Sequence, residues 1–167
     1  MIKVIDGDLF DTDAKFICHQ VNCMGKMGSG VALQIRQRFP HIYEEYKSVA
    51  SLDMLGKIQI IPVNPQYIGY NCGSIAIPCS EQWVCNFFSQ SNYGYNEKQY
   101  TSLEALISCF EKMNWIVHEK NNNFGAKIAM PYKIGCVRGG ANWEEVYQII
   151  DNIFRDCNIE LWRLDKG

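Results

Sequence analysis

What this chain lacks narrows its chemistry before anything it contains. Net charge is only −2 over 167 residues, which argues against a globally basic nucleic-acid binder or a membrane-surface protein. No apolar run approaches the ~20 residues of a membrane span. The first ten residues carry Lys3, Asp6 and Asp8 and lack the apolar core of a secretion signal, so a cytoplasmic protein is expected. The eight cysteines include no C-x-x-C pair, so no metal is expected, and most are read as small, reduced, buried hydrophobes. There is no Walker lysine-serine pair, and Gly28-Ser29-Gly30 lacks the spacing of a dinucleotide fingerprint. Nucleoside triphosphates and nicotinamide cofactors are therefore disfavoured, and no cofactor is called for. Repeats, linkers and low-complexity segments are absent as well. With 47% hydrophobic residues the chain can bury one sizeable core, and a single domain over 1–167 is expected.

What is present centres on Cys18 to Gln34, CHQVNCMGKMGSGVALQ. An apolar strand over Lys15 to Val21 runs into a polar corner, a glycine turn and a helix start. Glycines let backbone approach a ligand, and the amides of a helix N-terminus face an anion. A helix over Val31 to Phe39 follows, interrupted at Pro40 and restarting over Ile42 to Ala50. Met1 to Ile5 reads as a first strand closed by Asp6-Gly7-Asp8. Gly56 to Val63, Gly73 to Cys79 and Trp83 to Phe88 read as later strands of the same sheet, and Ser89 to Tyr100 as a loop.

Thr101 with Glu104 fits a capping box for a helix whose apolar stripe is Leu103, Leu106, Ile107, Phe110, Met113 and Val117. Asn121 to Asn123 with Gly125 closes it. Ala126 to Pro131 is a short strand entering a second glycine loop, Tyr132 to Ala141. Asn142, with Glu145 three residues on, caps a last helix with a stripe of Trp143, Val146, Tyr147, Ile150 and Phe154. Ile159 to Leu164 is the final strand. Strands alternating with amphipathic helices predict a three-layer α/β/α sandwich. The two glycine loops should meet beyond the carboxyl ends of the strands and form one cleft.

Within that cleft several side chains have two readings each. His19, flanked by Ile17 and Val21, is a buried histidine held by one hydrogen bond, or a general acid/base or nucleophile. Asn22 stabilises the turn or binds a sugar hydroxyl. Asp8 is a turn residue or accepts from an adenine amino group. Gln90, Asn92 and Tyr93 are loop polarity or a rim that stacks on a base. Lys26, Lys133 and Arg138 are solvated charges or phosphate partners. Cys136 has no evident base beside it.

Taken together, Asp6-Gly7-Asp8-Leu9-Phe10, His19-Gln20-Val21-Asn22-Cys23, Met27-Gly28-Ser29-Gly30-Val31-Ala32, Asn86-Phe87-Phe88-Ser89-Gln90 with Tyr93-Gly94, and Pro131-Tyr132-Lys133-Ile134-Gly135-Cys136 with Trp143 resemble a macrodomain. The similarity runs over essentially the whole chain with the motifs in the family's order. It is nearest the branch of ADP-ribose 1''-phosphate phosphatases and ADP-ribosyl-glutamate and DNA hydrolases. The resemblance implies a mixed, mostly parallel sheet between helices that binds ADP-ribose or its derivatives. ADP-ribosylated protein or DNA would be the macromolecular partners. Asp8 would take the adenine amino group, the Leu9 amide a ring nitrogen, and Asn22 the distal ribose. Gly28, Ser29, Gly30 and Val31, with Ile134, Gly135, Cys136, Val137, Arg138, Gly139 and Gly140, would wrap the diphosphate, and Gln90 would line the ligand. His19 matches a histidine catalytic in phosphatases of this type, which with Asn22 makes the implied catalytic pair.

The chain departs from the pattern in three places. Hydrolases with a lysine nucleophile place it near Gln90 and their loop aspartate near Gly139, and Val137 replaces a usual glycine. A lysine-adduct mechanism is therefore disfavoured. The expected activity is hydrolysis of an ADP-ribose derivative, ADP-ribose 1''-phosphate first. The alternative is a non-catalytic reader of ADP-ribose or of ADP-ribosylated protein or nucleic acid.

Overall fold

A computed structural model describes residues 1–68, 77–79, 81–94, 96, 98–119 and 125–164. Strands β1 (Ile2–Asp6), β2 (Phe16–Asn22), β3 (Ile58–Pro62), β6 (Trp83–Gln90), β7 (Lys127–Pro131) and β8 (Asn158–Arg163) form one six-stranded sheet in the order β1-β8-β7-β2-β6-β3. All neighbours are parallel except β3, which runs antiparallel to β6 at the edge. The helices are α1 (Gly30–Arg38), α2 (Pro40–Val49), α3 (Leu103–Glu119) and α4 (Trp143–Ile153).

Two apolar clusters explain the layering. On one face Phe16, Cys18, Cys85, Phe87, Ile128 and Met130 of the sheet pack with Leu106, Phe110 and Met113 of α3 and Val146 and Ile150 of α4. On the other, Ile17, Val21, Val84, Phe88 and Ala129 pack with Ile35 of α1 and Ile42 and Tyr46 of α2. Alternate residues of β2 thus feed opposite layers, as a strand's period of two requires. The result is a three-layer α/β/α arrangement with a mixed, mostly parallel sheet.

Three local expectations change. The described end of the run Gly73 to Cys79 lies outside the main sheet. Of it only Ile77–Cys79 (β5) lies among the described residues, and this pairs antiparallel with Gln66–Ile68 (β4) as a separate two-stranded sheet. Thr101 does not cap α3; Ser102 does, its Oγ accepting from Ala105 N at 3.2 Å. Thr101 is drawn away by bonds to other loops, described below. Pro40 opens α2 instead of preceding it, its ring suiting the first helical turn where no donor is needed. The stop expected at Asn121 to Asn123 lies outside the described residues. The Asn142 cap is present, with Oδ1 accepting from Glu145 N at 3.0 Å.

The parallel strands β1, β2, β6, β7 and β8 all end on the same edge of the sheet, so the segments after them converge there. β2 and β7 are neighbours, which brings the two glycine loops side by side. One irregularity matters to the site. Where β2 pairs with β6 the register slips after Val21, so that Val21 faces Phe88, Asn22 faces Gln90, and Ser89 is skipped.

Candidate functional site

Beyond those strand ends lies a cleft of ≈ 1320 Å³. The segment after β1 supplies Gly7 to Phe10, β2 supplies His19 to Asn22, and the first loop supplies Lys26 and Gly28 to Ala32. From β6 come Gln90, Tyr93 and Gly94, from the second loop Pro131 to Gly139, and from the end of β8 Trp162, Arg163 and Leu164. Every residue expected in the site lines this cleft except Asn92, an exposed loop residue, and Gly140, which is exposed at φ 75° behind Gly139.

The first loop is built for close approach. Gly30 sits at φ 58°, a left-handed conformation that opens α1 directly out of the turn. A β-carbon at Gly28 or Gly30 would meet nothing within 4 Å, so the space in front of them is free. Ser29 at the N-cap makes no side-chain cap, which leaves the amide end of α1 turned to the cleft uncompensated. Backbone amides at a helix start favour a phosphate. Lys26, Lys133 and Arg138 stand exposed around this region and add positive charge. Lys133 itself holds φ 60° without being glycine, a conformation that costs energy and fixes the second loop's bend.

Asn22 is a staple of the first loop. Its Oδ1 accepts from Met24 N at 3.0 Å, Lys26 N at 3.3 Å and Tyr46 Oη at 2.9 Å, and its Nδ2 donates to Lys26 O at 2.8 Å. One Nδ2 proton is left for a ligand. The turn and the sugar-binding readings of Asn22 are compatible with this one arrangement.

At the bottom of the cleft the second loop is tied to the rest by carboxamides and hydroxyls. Gln20 Nε2 donates to Ser89 Oγ at 2.7 Å and to Thr101 Oγ1 at 2.9 Å. Gln90 Nε2 donates to Gln20 Oε1 at 2.8 Å, and Thr101 Oγ1 donates to Gly135 O at 2.7 Å. Gly139 O accepts from both Tyr100 N and Thr101 N, at 2.8 and 3.0 Å. The sequence did not reveal Gln20, which lines the cleft, or Thr101, which ties Gln20 to the second loop. Their signal was weak: a lone polar residue inside an apolar strand, and a threonine at a plausible helix cap. No lysine or aspartate stands here, since Gln90 and Gly139 occupy the relevant corner.

The opposite end is aromatic. Arg38 lies 4.4 Å over the Phe10 ring and bridges to Asp8 Oδ2 at 3.3 Å, while Asp8 Oδ1 accepts from Phe10 N at 2.9 Å. Trp162 lines the cleft with its Nε1 donating to Glu160 Oε2 at 2.9 Å, and Glu160 also accepts from Thr12 Oγ1 at 2.6 Å. Trp162 was likewise missed; the available signal was Glu160, an acid inside a strand, which requires a partner when buried. Tyr132 packs on Trp143 with ring centroids 5.0 Å apart.

His19 is buried, at 1% exposure, and its Nε2 lies 2.5 Å from Asn86 Oδ1. Burial pushes its pKa down to about 4, partly opposed by the Asn86 bond. The ring is therefore neutral at neutral pH, able to take a proton and unable to supply one. Cys136 is a poor nucleophile, since burial pushes its thiol up to about 11 and its Sγ donates to Ile134 O at 3.4 Å. Among the described residues no cluster of His, Cys, Asp or Glu could hold a metal ion, and no helix is long and apolar enough to cross a membrane.

No protein-family profile matches the chain. A Mycobacterium tuberculosis protein named DNA ADP-ribosyl glycohydrolase is 27% identical over 161 residues, 93% of this chain. The chain spans 39% of that relative's length. An Aspergillus oryzae protein named ADP-ribose 1''-phosphate phosphatase is 44% identical over a stretch of 48 residues, 28% of this chain and 24% of the relative. Among solved structures, the macrodomain of Mycobacterium tuberculosis DarG superposes with a TM-score of 0.73 at 23% identity, covering 99% of each chain. That likeness gives the fold.

Proposed function

We propose that this chain, a macrodomain by fold, binds ADP-ribose in the cleft and hydrolyses an ADP-ribose derivative, with ADP-ribose 1''-phosphate the first candidate. The observation that carries the reading is the meeting of two glycine loops from neighbouring parallel strands on one elongated cleft, aromatic at one end and rich in carboxamides at the other. An aromatic end suits adenine, the uncapped start of α1 suits the diphosphate, and amide groups suit a ribose. The relatives' names, a DNA ADP-ribosyl glycohydrolase and an ADP-ribose 1''-phosphate phosphatase, both describe enzymes acting on ADP-ribosyl groups.

In this reading Asp8 and the Leu9 amide take the adenine edge, with Asp8 exchanging its exposed contact with Arg38 for the amino group. Val31 and the glycine loops hold the diphosphate through their amides. The remaining Nδ2 proton of Asn22 meets the distal ribose, beside Gln90. His19, neutral at neutral pH, acts as the base that takes the proton of a water attacking the phosphorus as the P–O bond to the ribose breaks, and returns that proton to the leaving ribose oxygen. Alternatively it attacks the phosphorus itself, the ribose oxygen leaving with a proton from water and a second water then releasing phosphate from the ring. Loop amides stabilise the charge that develops. The lysine-adduct route is unavailable, because position 90 is glutamine and position 139 is glycine. The free thiols of Cys18, Cys23, Cys85, Cys109, Cys136 and Cys157 suit a reducing, cytoplasmic setting.

The test is phosphate release from ADP-ribose 1''-phosphate by wild type and His19→Ala. Turnover that vanishes in the variant supports the reading. No turnover in either, with heat on titrating ADP-ribose, favours the reader alternative, which the neutral Gln90–Gly139 corner also supports. No heat at all rules out both.

A further inference from the structure

Midway along β2 and β6 the sheet carries a polar pair where packing asks for none. The flanking register pairs on the same face, Ile17 with Val84 and Val21 with Phe88, are apolar and buried. Between them His19 stands opposite Asn86, at 1% and 0% exposure. An aliphatic pair would fill that layer without any polar group to satisfy.

The bonding of the pair is directional. Asn86 Nδ2 donates to Gln59 Oε1 at 3.1 Å, on the neighbouring strand β3. That bond orients the carboxamide so that its oxygen faces His19 Nε2, 2.5 Å away. A carboxamide oxygen only accepts, so Nε2 must carry the proton, and in a neutral imidazole Nδ1 is then a lone pair. His19 Nδ1 is buried and has no hydrogen-bond partner, while His19 belongs to the wall of the cleft. The orphan atom is thus an unmet acceptor on a residue of the cleft wall. Gln59 Nε2 in turn donates to Glu45 O at 3.3 Å, which anchors the line of bonds on α2.

We propose that Asn86 is a positioning residue: it locks His19 as the Nε2–H tautomer and so reserves Nδ1 as an acceptor for a hydroxyl or water of the bound ADP-ribosyl group. The ligand half of this rests on the ADP-ribose reading of the cleft; the tautomer half does not. Burial, which keeps the ring neutral, preserves the lone pair at ordinary pH.

The test uses the whole chain with ¹⁵N-labelled histidine, where three histidines give an assignable spectrum. In the free protein His19 should show a protonated Nε2 and an unprotonated Nδ1, and saturating ADP-ribose should move the Nδ1 resonance while Nε2–H stays. Asn86→Asp keeps an acceptor opposite Nε2 but adds charge that favours imidazolium. Its His19 titration midpoint should rise by at least one unit. ADP-ribose affinity should then fall about tenfold below the new midpoint, the scale of one lost hydrogen bond, and match wild type above it. Asn86→Leu should give mixed tautomers and weaker binding at every pH. If that variant does not fold, the wild-type spectrum and Asn86→Asp decide.

A protonated Nδ1 in wild type overturns the lock. An Nδ1 resonance that ignores bound ADP-ribose overturns the acceptor role. Calorimetry with no heat overturns the ADP-ribose reading and with it the acceptor role, while the free-protein spectrum still decides what Asn86 does.

Discussion

Gly139 lies so close to Thr101 that a β-carbon on the glycine would stand 1.9 Å from the threonine Oγ1, and 2.4 Å from Gly135 O. No side chain fits there while the Thr101–Gly135 bond of 2.7 Å stands. The corner where an acidic loop residue would serve a lysine mechanism is therefore filled by the Thr101 hydroxyl and the Gly135 carbonyl.

Gly139→Ala should accordingly destabilise by about 2 kcal/mol, in the range of overpacked cores, and lower the melting temperature by roughly 4–8 °C. ADP-ribose affinity should fall with it, since the second loop can no longer seat on Thr101. Gly139→Asp combined with Gln90→Lys should not gain lysine-type hydrolase activity. Calorimetric melting and a de-ADP-ribosylation assay check both; a stable, active double variant would contradict the packing argument.

Asn22 and Tyr46 can be separated by mutation. Tyr46→Phe removes the hydroxyl that bonds Asn22 O at 2.8 Å and Oδ1 at 2.9 Å, and should cost about 1 kcal/mol of stability with affinity within about threefold of wild type. Asn22→Ala removes the staple and the ligand-facing amide together. It should cost about 1–3 kcal/mol and weaken ADP-ribose binding at least tenfold. Urea unfolding beside isothermal titration distinguishes the two patterns.

His19 should make stability depend on pH in a defined window. In the unfolded chain it titrates near 6.5, in the folded one near 4. Between those values the unfolded state binds a proton that the folded state does not. Stability is therefore full above pH 6.5, falls as pH drops through the window, and levels off below 4, by about 3 kcal/mol in all. Subtracting the curve for His19→Gln removes the carboxylates common to both proteins. A difference curve that is flat between pH 4 and 6.5 would show that the ring is not held neutral by burial.

Trp162 should report the base. With its indole fixed by Glu160, stacking on adenine is worth about 1–3 kcal/mol on the scale of aromatic–base contacts. Trp162→Leu should weaken ADP-ribose binding by roughly 10- to 100-fold, and wild-type tryptophan fluorescence should change on titration with ADP-ribose. Binding equal to wild type in the variant would move the base elsewhere in the cleft.

The parts of this molecule that were legible in its sequence are those written in short range. β2 shows as a near-continuous apolar run because helices cover both its faces, α1 as a stripe after Gly30, and α4 through a cap three residues from its partner amide. Thr101 misled because Ser102 follows it. Either hydroxyl can cap α3, and only the distant carbonyls and carboxamides of Gly135 and Gln20 determine that Thr101 is needed elsewhere. Gly73 to Cys79 looks like any short strand, since composition does not record which edge it will pair with. Asn86 and Trp162 escaped for a related reason. Asn86 owes its place to His19, 67 residues away, and Trp162 to Glu160, two residues away but itself held by Thr12 across the fold.

The slip in the ladder between β2 and β6 places a functional demand on length. Ser89 is the residue that β6 has and β2 does not, and its buried hydroxyl takes the Gln20 amide. A chain without Ser89 would pair in even register with Gln90 still opposite Asn22, but would lose the hydroxyl that takes the Gln20 amide. Such a deletion would leave the sheet intact and the Gln20 amide with Thr101 as its remaining acceptor. The wall of the cleft is thus encoded partly as a count: one residue of slack, placed where β2 and β6 slip register.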